Sequence, residues 1–171
     1  AKVDGKLYSA PEISSMILRK LKKDAVVGTI MTNMGFSKFC EAKDLHFEAT
    51  KVGDRYVLER MLQEGYCIGG EQSGHVIFLE HATTGDGELT AVQLLNVMKE
   101  KKQKLSELAA VMDKYPQVLI NVKVASDGKQ RFFTDEAVKA AVQDAEQTLG
   151  TEGRLVVRPS GTEPLLRVMV E

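Results

Sequence analysis

Between residues 25 and 87, short apolar runs of strand length alternate with stretches whose apolar residues recur at helical spacing, and this alternation leaves few folds open. Residues 25–31 (Ala-Val-Val-Gly-Thr-Ile-Met) are apolar and partly β-branched and read as a buried strand. Residues 35–43 read as a helix, 46–50 as a strand, and 54–64 as a helix closed by Gly65, which suits the left-handed position past a helix end. Two strands over 67–70 and 76–79 follow, joined by a glycine-bearing turn, and 83–87 leads into a long amphipathic helix through Ala91, Leu94, Leu95 and Met98. Strands alternating with helices call for a parallel or mixed sheet with helices on both faces, in which ligands sit at the loops beyond the strand ends. Upstream, Ser9-Ala10-Pro11-Glu12 predicts a helix running to about Lys23, with a hydroxyl to cap it and proline just inside.

The pattern changes after the long helix. A lysine-rich stretch covers 99–104, a short helix resumes over 105–112, and Tyr115 and Pro116 break it, so the chain is divided into domains at 1–112 and 113–171. In the second, 118–124 alternates as a strand, 134–149 reads as a capped helix, and 154–157 and 165–170 read as two more strands. The expected fold class is therefore a mixed-sheet α/β domain followed by a small α+β domain.

Charge argues against polyanionic partners: 23 basic against 24 acidic residues give a net charge of −1, with no electrostatic reason to bind nucleic acid or a membrane surface. No run approaches the roughly 20 apolar residues of a membrane helix, and the first residues lack a signal-peptide pattern. Cys40 and Cys67 have no partner spaced for metal ligation or redox pairing, so the reducing cytoplasm is the expected compartment, and no metal site is read in the chain. A start without methionine and a stop straight after an apolar run suggest an excised segment.

Two loops carry the densest chemistry. Arg158-Pro159-Ser160-Gly161-Thr162-Glu163-Pro164 joins two predicted strands and combines a guanidinium fork, two hydroxyls and a glycine that lets backbone N–H groups converge, a set suited to an oxyanion. The alternative is a plain hairpin in which Arg158 pairs with Glu163. Gly69-Gly70-Glu71-Gln72-Ser73-Gly74-His75 offers a carboxylate, an amide, a hydroxyl and an imidazole to a polyhydroxylated ligand, with His75 able to shuttle a proton. Here the alternative is an ordinary polar turn with His75 bonded to backbone. Thr83-Thr84-Gly85-Asp86-Gly87 reads as a helix cap through Thr84 or Asp86. Asp54 reads as the cap of its helix, and Arg55 either is solvated or supplies positive charge to a phosphosugar. His46 and His81 read as structural.

Taken in order, Gly70 to His75, Thr83 to Gly87 and Arg158 to Pro164 closely resemble loops of the phosphohexomutase superfamily, over nearly the whole chain. Gln72 between Glu71 and Ser73 is similar to the branch acting on glucosamine phosphates. A mannose- or glucose-phosphate mutase is the alternative, and a free-standing phosphosugar-binding module is another. The resemblance implies domains three and four of a four-domain phosphotransferase. Such an enzyme interconverts glucosamine 6-phosphate and glucosamine 1-phosphate for cell-wall precursor synthesis, using a phosphoserine and Mg2+.

By that resemblance, Glu71 and Ser73 hold sugar hydroxyls, Arg55 adds charge, and His75 lies near the reacting end. Arg158, Ser160, Gly161 and Thr162 grip the phosphate that is not transferred. No Ser-His-Asn-Pro loop occurs, nor an Asp-Gly-Asp loop followed by arginine, so the nucleophile and the Mg2+ ligands are expected in N-terminal domains of the same protein. The fragment alone is expected to be inactive. Superfamily members also continue past the last strand into a helix over the final sheet, so the second domain is expected to be truncated and the less stable of the two.

Overall fold

The computed structural model describes residues 2–3, 6–7, 25–125 and 127–171; the helix predicted over 9–23 lies outside the described residues. The chain divides into two compact units, Ala1–Lys114 and Tyr115–Glu171. In the first, β1 (Lys2–Val3) and β2 (Lys6–Leu7) pair antiparallel. A separate four-stranded sheet runs in the order β4-β3-β5-β6, from β3 (Ala25–Thr29), β4 (His46–Thr50), β5 (Ile68–Gly70) and β6 (Val76–Phe78). Strand β3 is parallel to both β4 and β5, and β6 closes the edge antiparallel to β5.

Strand β3 is buried along its whole length, as a central strand with both faces covered must be. Val26 points to one face, into a core with Phe36, Phe39 and Cys40 of α1 (Met34–Ala42), Leu94 and Val97 of α3 (Gly87–Lys101), and Leu105 and Leu108 of α4 (Leu105–Ala109). Val27 points to the other, where Val57 and Met61 of α2 (Asp54–Glu64) close over Ile77. Successive residues of one strand thus seed cores on opposite faces, and the helices that cover them make three layers. Helix α2 stops where expected, with Gly65 at φ 69° donating its N–H to the carbonyl of Met61. No helix among the described residues is long and apolar enough to cross a membrane.

Burial pushes the Cys40 thiol up to about 12. The folded state therefore keeps this proton at pH values where an unfolded thiol, near 8.5, has lost it, and stability falls as pH climbs from ~8.5 toward about 12. At pH 8 we expect a thiol reagent to label Cys67, which is partly exposed, and to leave Cys40 untouched until urea unfolds the chain. Equal labelling rates for the two would contradict this packing.

The second unit is a three-stranded antiparallel sheet in the order β7-β9-β8, from β7 (Val118–Lys123), β8 (Leu155–Pro159) and β9 (Leu165–Val170). Two helices accompany it, α5 (Gly128–Thr134) and α6 (Glu136–Leu149). The sequence reading missed α5 and capped α6 with Thr134. The cap is Asp135, whose Oδ1 accepts from the N–H groups of Ala137 and Val138. A hydrogen bond from Arg131, helped by those two N–H groups, holds the Asp135 carboxyl below its ordinary range.

Candidate functional site

Three loops of the first unit converge at His75. The segment between β4 and α2 ends in Gly53, whose φ of 133° is open to glycine but strained for other residues. Gly53 is also the N-cap, so α2 begins without a side-chain cap. Asp54, expected to cap, instead points its Oδ2 at His75 Nδ1, 3.2 Å away. Glu71 joins the same junction from the β5–β6 turn, its Oε1 accepting the Gly53 N–H at 2.7 Å. The turn is closed by Glu71 N–H to the His75 carbonyl at 2.9 Å and Gly74 N–H to the Glu71 carbonyl at 3.1 Å, with Gly74 at φ 110°. From the third side comes Gly85, where an added Cβ would lie 3.1 Å from the Cβ of His75. Asp86, beside it, caps α3 through Leu89 N–H.

His75 Nδ1 therefore faces a carboxylate at ion-pair distance, and Glu71 engages Gly53 through one of its two oxygens. Ser73 is exposed. Arg55 stands apart: its side chain is 83% exposed and its Nε donates to Glu59 at 2.9 Å, a hydrogen bond that raises its already high pKa. Gly69, read as part of a ligand loop, has a packing role, since a Cβ there would sit 2.6 Å from Val57 Cγ1 and 2.7 Å from Met61 Sδ. His81 meets Gln93 at 3.1 Å, and His46 lies tilted against Tyr66, with ring centroids 6.0 Å apart.

In the second unit, the loop between β8 and β9 is built around Ser160, which is 4% exposed. Its N–H donates to the Leu165 carbonyl at 2.9 Å, and its Oγ accepts the Glu163 N–H at 3.2 Å. Gly161 stays out of the left-handed region, and a Cβ there would meet nothing, so the turn itself does not demand glycine. Gly161 and Thr162 are exposed at the tip. The pairing of Arg158 with Glu163, one of the two expectations, does not form. Glu163 is bound by Arg167, the residue opposite Arg158 on β9, at 3.0 Å.

A further cation escaped the sequence reading. Lys129, on α5, donates from Nζ to the Ser160 carbonyl at 2.6 Å. Finding it required knowing that 128–134 is helical, and that stretch has no apolar periodicity.

Residues 12–115 match the family model for the phosphoglucomutase/phosphomannomutase alpha/beta/alpha domain III, and 119–171 that for the phosphoglucomutase/phosphomannomutase C-terminal domain. The phosphoglucosamine mutase of Ruminiclostridium cellulolyticum is 56% identical over 151 residues, which is 88% of this chain and 34% of that protein. The phosphoglucosamine mutase of Acetivibrio thermocellus is 47% identical, over 98% of this chain and 39% of its own length. The chain thus spans about a third of the length of the curated relatives it matches. The solved structure of Aspergillus fumigatus N-acetylphosphoglucosamine mutase in complex with GlcNAc-6P and magnesium shares the fold: TM-score 0.74 at 20% identity, over 97% of this chain and 44% of that one. By these matches the chain belongs to the phosphoglucomutase/phosphomannomutase family, of which it carries domain III followed by the C-terminal domain.

Proposed function

We propose that the chain supplies the sugar-recognition and phosphate-recognition loops of a cytoplasmic phosphoglucosamine mutase. The whole enzyme would interconvert glucosamine 6-phosphate and glucosamine 1-phosphate for cell-wall precursor synthesis. In the first unit, Glu71 and Ser73 hold sugar hydroxyls and His75 passes a proton, with Arg55 contributing long-range positive charge. In the second, Arg158 with the loop at Ser160, Gly161 and Thr162 holds a phosphate. The observation that carries the reading is the gathering of cations around one loop: Arg158 and Arg167 are cross-strand neighbours, and the Lys129 ammonium sits on the Ser160 carbonyl. Guanidinium and ammonium groups brought to one loop can offer a dianion several charge-assisted hydrogen bonds.

Phosphoryl transfer itself needs a nucleophile and a charge-neutralising metal in line with the acceptor hydroxyl. In this reading both come from N-terminal domains of the same protein: a serine that is phosphorylated and the ligands of Mg2+. Asp54, Glu71 and His75 do bring three donor atoms within 4.8 Å of one another, but they fit magnesium poorly. Magnesium favours an all-oxygen octahedron, whereas here one of the three donors is an imidazole. The chain's own residues bind and orient, and the chain alone is inactive.

The test is an NMR titration of this chain with glucosamine 6-phosphate, compared with mannose 6-phosphate. Amide shifts at 71–75 and 158–162, with a Kd of roughly 1 mM or weaker, are expected, equivalent to about 4 kcal/mol. Arg158→Met should abolish the shifts at 158–162. Absence of shifts at both loops at high ligand concentration would overturn the reading, and a stronger response to mannose 6-phosphate would favour a different hexose.

A further inference from the structure

We infer that Asp54 is a positioning residue for His75: it fixes the neutral ring with its proton on Nδ1, so that Nε2 is the atom that takes up and returns a proton. This rests on the reading of His75 as the proton shuttle and adds to it the ring atom that acts and the group that selects it. A carboxylate repels a ring lone pair and attracts a ring N–H, so a neutral imidazole whose Nδ1 lies 3.2 Å from Asp54 Oδ2 is lower in energy with its hydrogen there. Nε2 has no hydrogen-bond partner among the described residues, and the His75 side chain is 58% exposed, so that atom is accessible.

The arrangement is held from three directions. Glu71 Oε1 takes the Gly53 N–H, which ties the first turn of α2, and with it Asp54, to the loop that bears His75. Gly85 leaves no slack behind His75, because even a methyl group there would press on its Cβ. Arg55, the nearest cation in sequence, is turned to Glu59 and does not compete for Asp54. A carboxylate–imidazole pair of this kind orients the ring without itself accepting the proton.

Long-range proton–nitrogen correlation spectra of this chain, recorded at alkaline pH, read the tautomer directly. The expected result is a predominant Nδ1–H form for His75. In Asp54→Ala the ratio of Nδ1–H to Nε2–H should fall about fivefold or more, as for the loss of one close carboxylate contact at a half-exposed site. Asp54→Asn, which keeps an acceptor oxygen, should restore part of that ratio. A predominant Nε2–H form in the unsubstituted chain overturns the inference with no variant needed, and so does a ratio unchanged in a folded Asp54→Ala. Because these spectra require no ligand, they stand apart from the sugar-phosphate titration. Loss of binding with the tautomer effect intact removes the mutase reading, while normal binding with no tautomer effect removes only the role of Asp54.

Discussion

Arg154→Met is expected to destabilise the second unit by about 3–5 kcal/mol, the usual cost of removing one partner from a buried ion pair. Arg154 and Glu171 meet at the foot of the sheet, where their side chains are 28% and 0% exposed. Their backbones pair as well, Arg154 N–H to the Glu171 carbonyl at 2.8 Å and Glu171 N–H to the Arg154 carbonyl at 3.0 Å. With the guanidinium gone, the carboxylate loses this charged partner, and the amide of Gln117, at 3.1 Å, is neutral.

The unit has little to spare. Among its described residues only Ser160, Met169 and Glu171 are buried, and Val118, Leu119 and Ile120 of β7 are each at least half exposed. Urea unfolding followed through backbone amide signals should therefore show the second unit melting well before the first in Arg154→Met. Removing the buried negative charge as well, in Arg154→Met with Glu171→Gln, should recover most of the loss. A midpoint for Arg154→Met equivalent to less than ~0.5 kcal/mol of change would mean that the pair contributes no more than a surface salt bridge.

The parts of the fold that could be read in advance are those where burial imposes a period on the sequence. Strand β3 is apolar at almost every position because both its faces are covered, and α2 carries its own stop in Gly65. Helix α5 left no such trace. None of its residues is buried, so nothing selects an apolar stripe, and Asp127-Gly128 reads as a turn. Overlooking α5 also moved the start of α6 onto Thr134, although Asp135 offered an equally good cap one residue later.

At the sites, residue types were legible and partners were not. The polar residues between β5 and β6 announce a ligand loop, yet nothing in the sequence says that Asp54 will leave its helix uncapped to face His75. That follows from Gly53 taking the cap position with a backbone turn that brings α2 against the loop. Likewise Glu163 lies between Arg158 and Arg167 in sequence, and it is Arg167, four residues on, that binds it. Lys129 could be found only once α5 was known. The Asp54 and Lys129 contacts join segments far apart in the chain, and α5 is an exposed helix, the two cases in which local pattern carries least information.

Gly69→Ala should cost the first unit about 1–3 kcal/mol and should loosen the junction at His75 as well. Gly69 sits in the middle of β5, where it is paired with Val27 on one side and Ile77 on the other. Its open face receives α2. A methyl group there would lie 2.6 Å from Val57 Cγ1, 2.7 Å from Met61 Sδ and 3.1 Å from the Val27 carbonyl, and Val57 and Met61 are both fully buried. The Met61 thioether can move aside, but Val57 is β-branched and its rotamer is restricted in a helix, so α2 itself must shift outward. The first turn of α2 carries Asp54, and Gly53 just before it is held by Glu71, so an outward shift lengthens the contacts that seat His75. Two readouts should therefore change together in Gly69→Ala: the urea midpoint of the first unit, and the His75 ring tautomer ratio, which should move toward that of Asp54→Ala. A lower midpoint with an unchanged tautomer would place the strain wholly in the core and show that the loops at His75 hold their geometry independently of α2 packing.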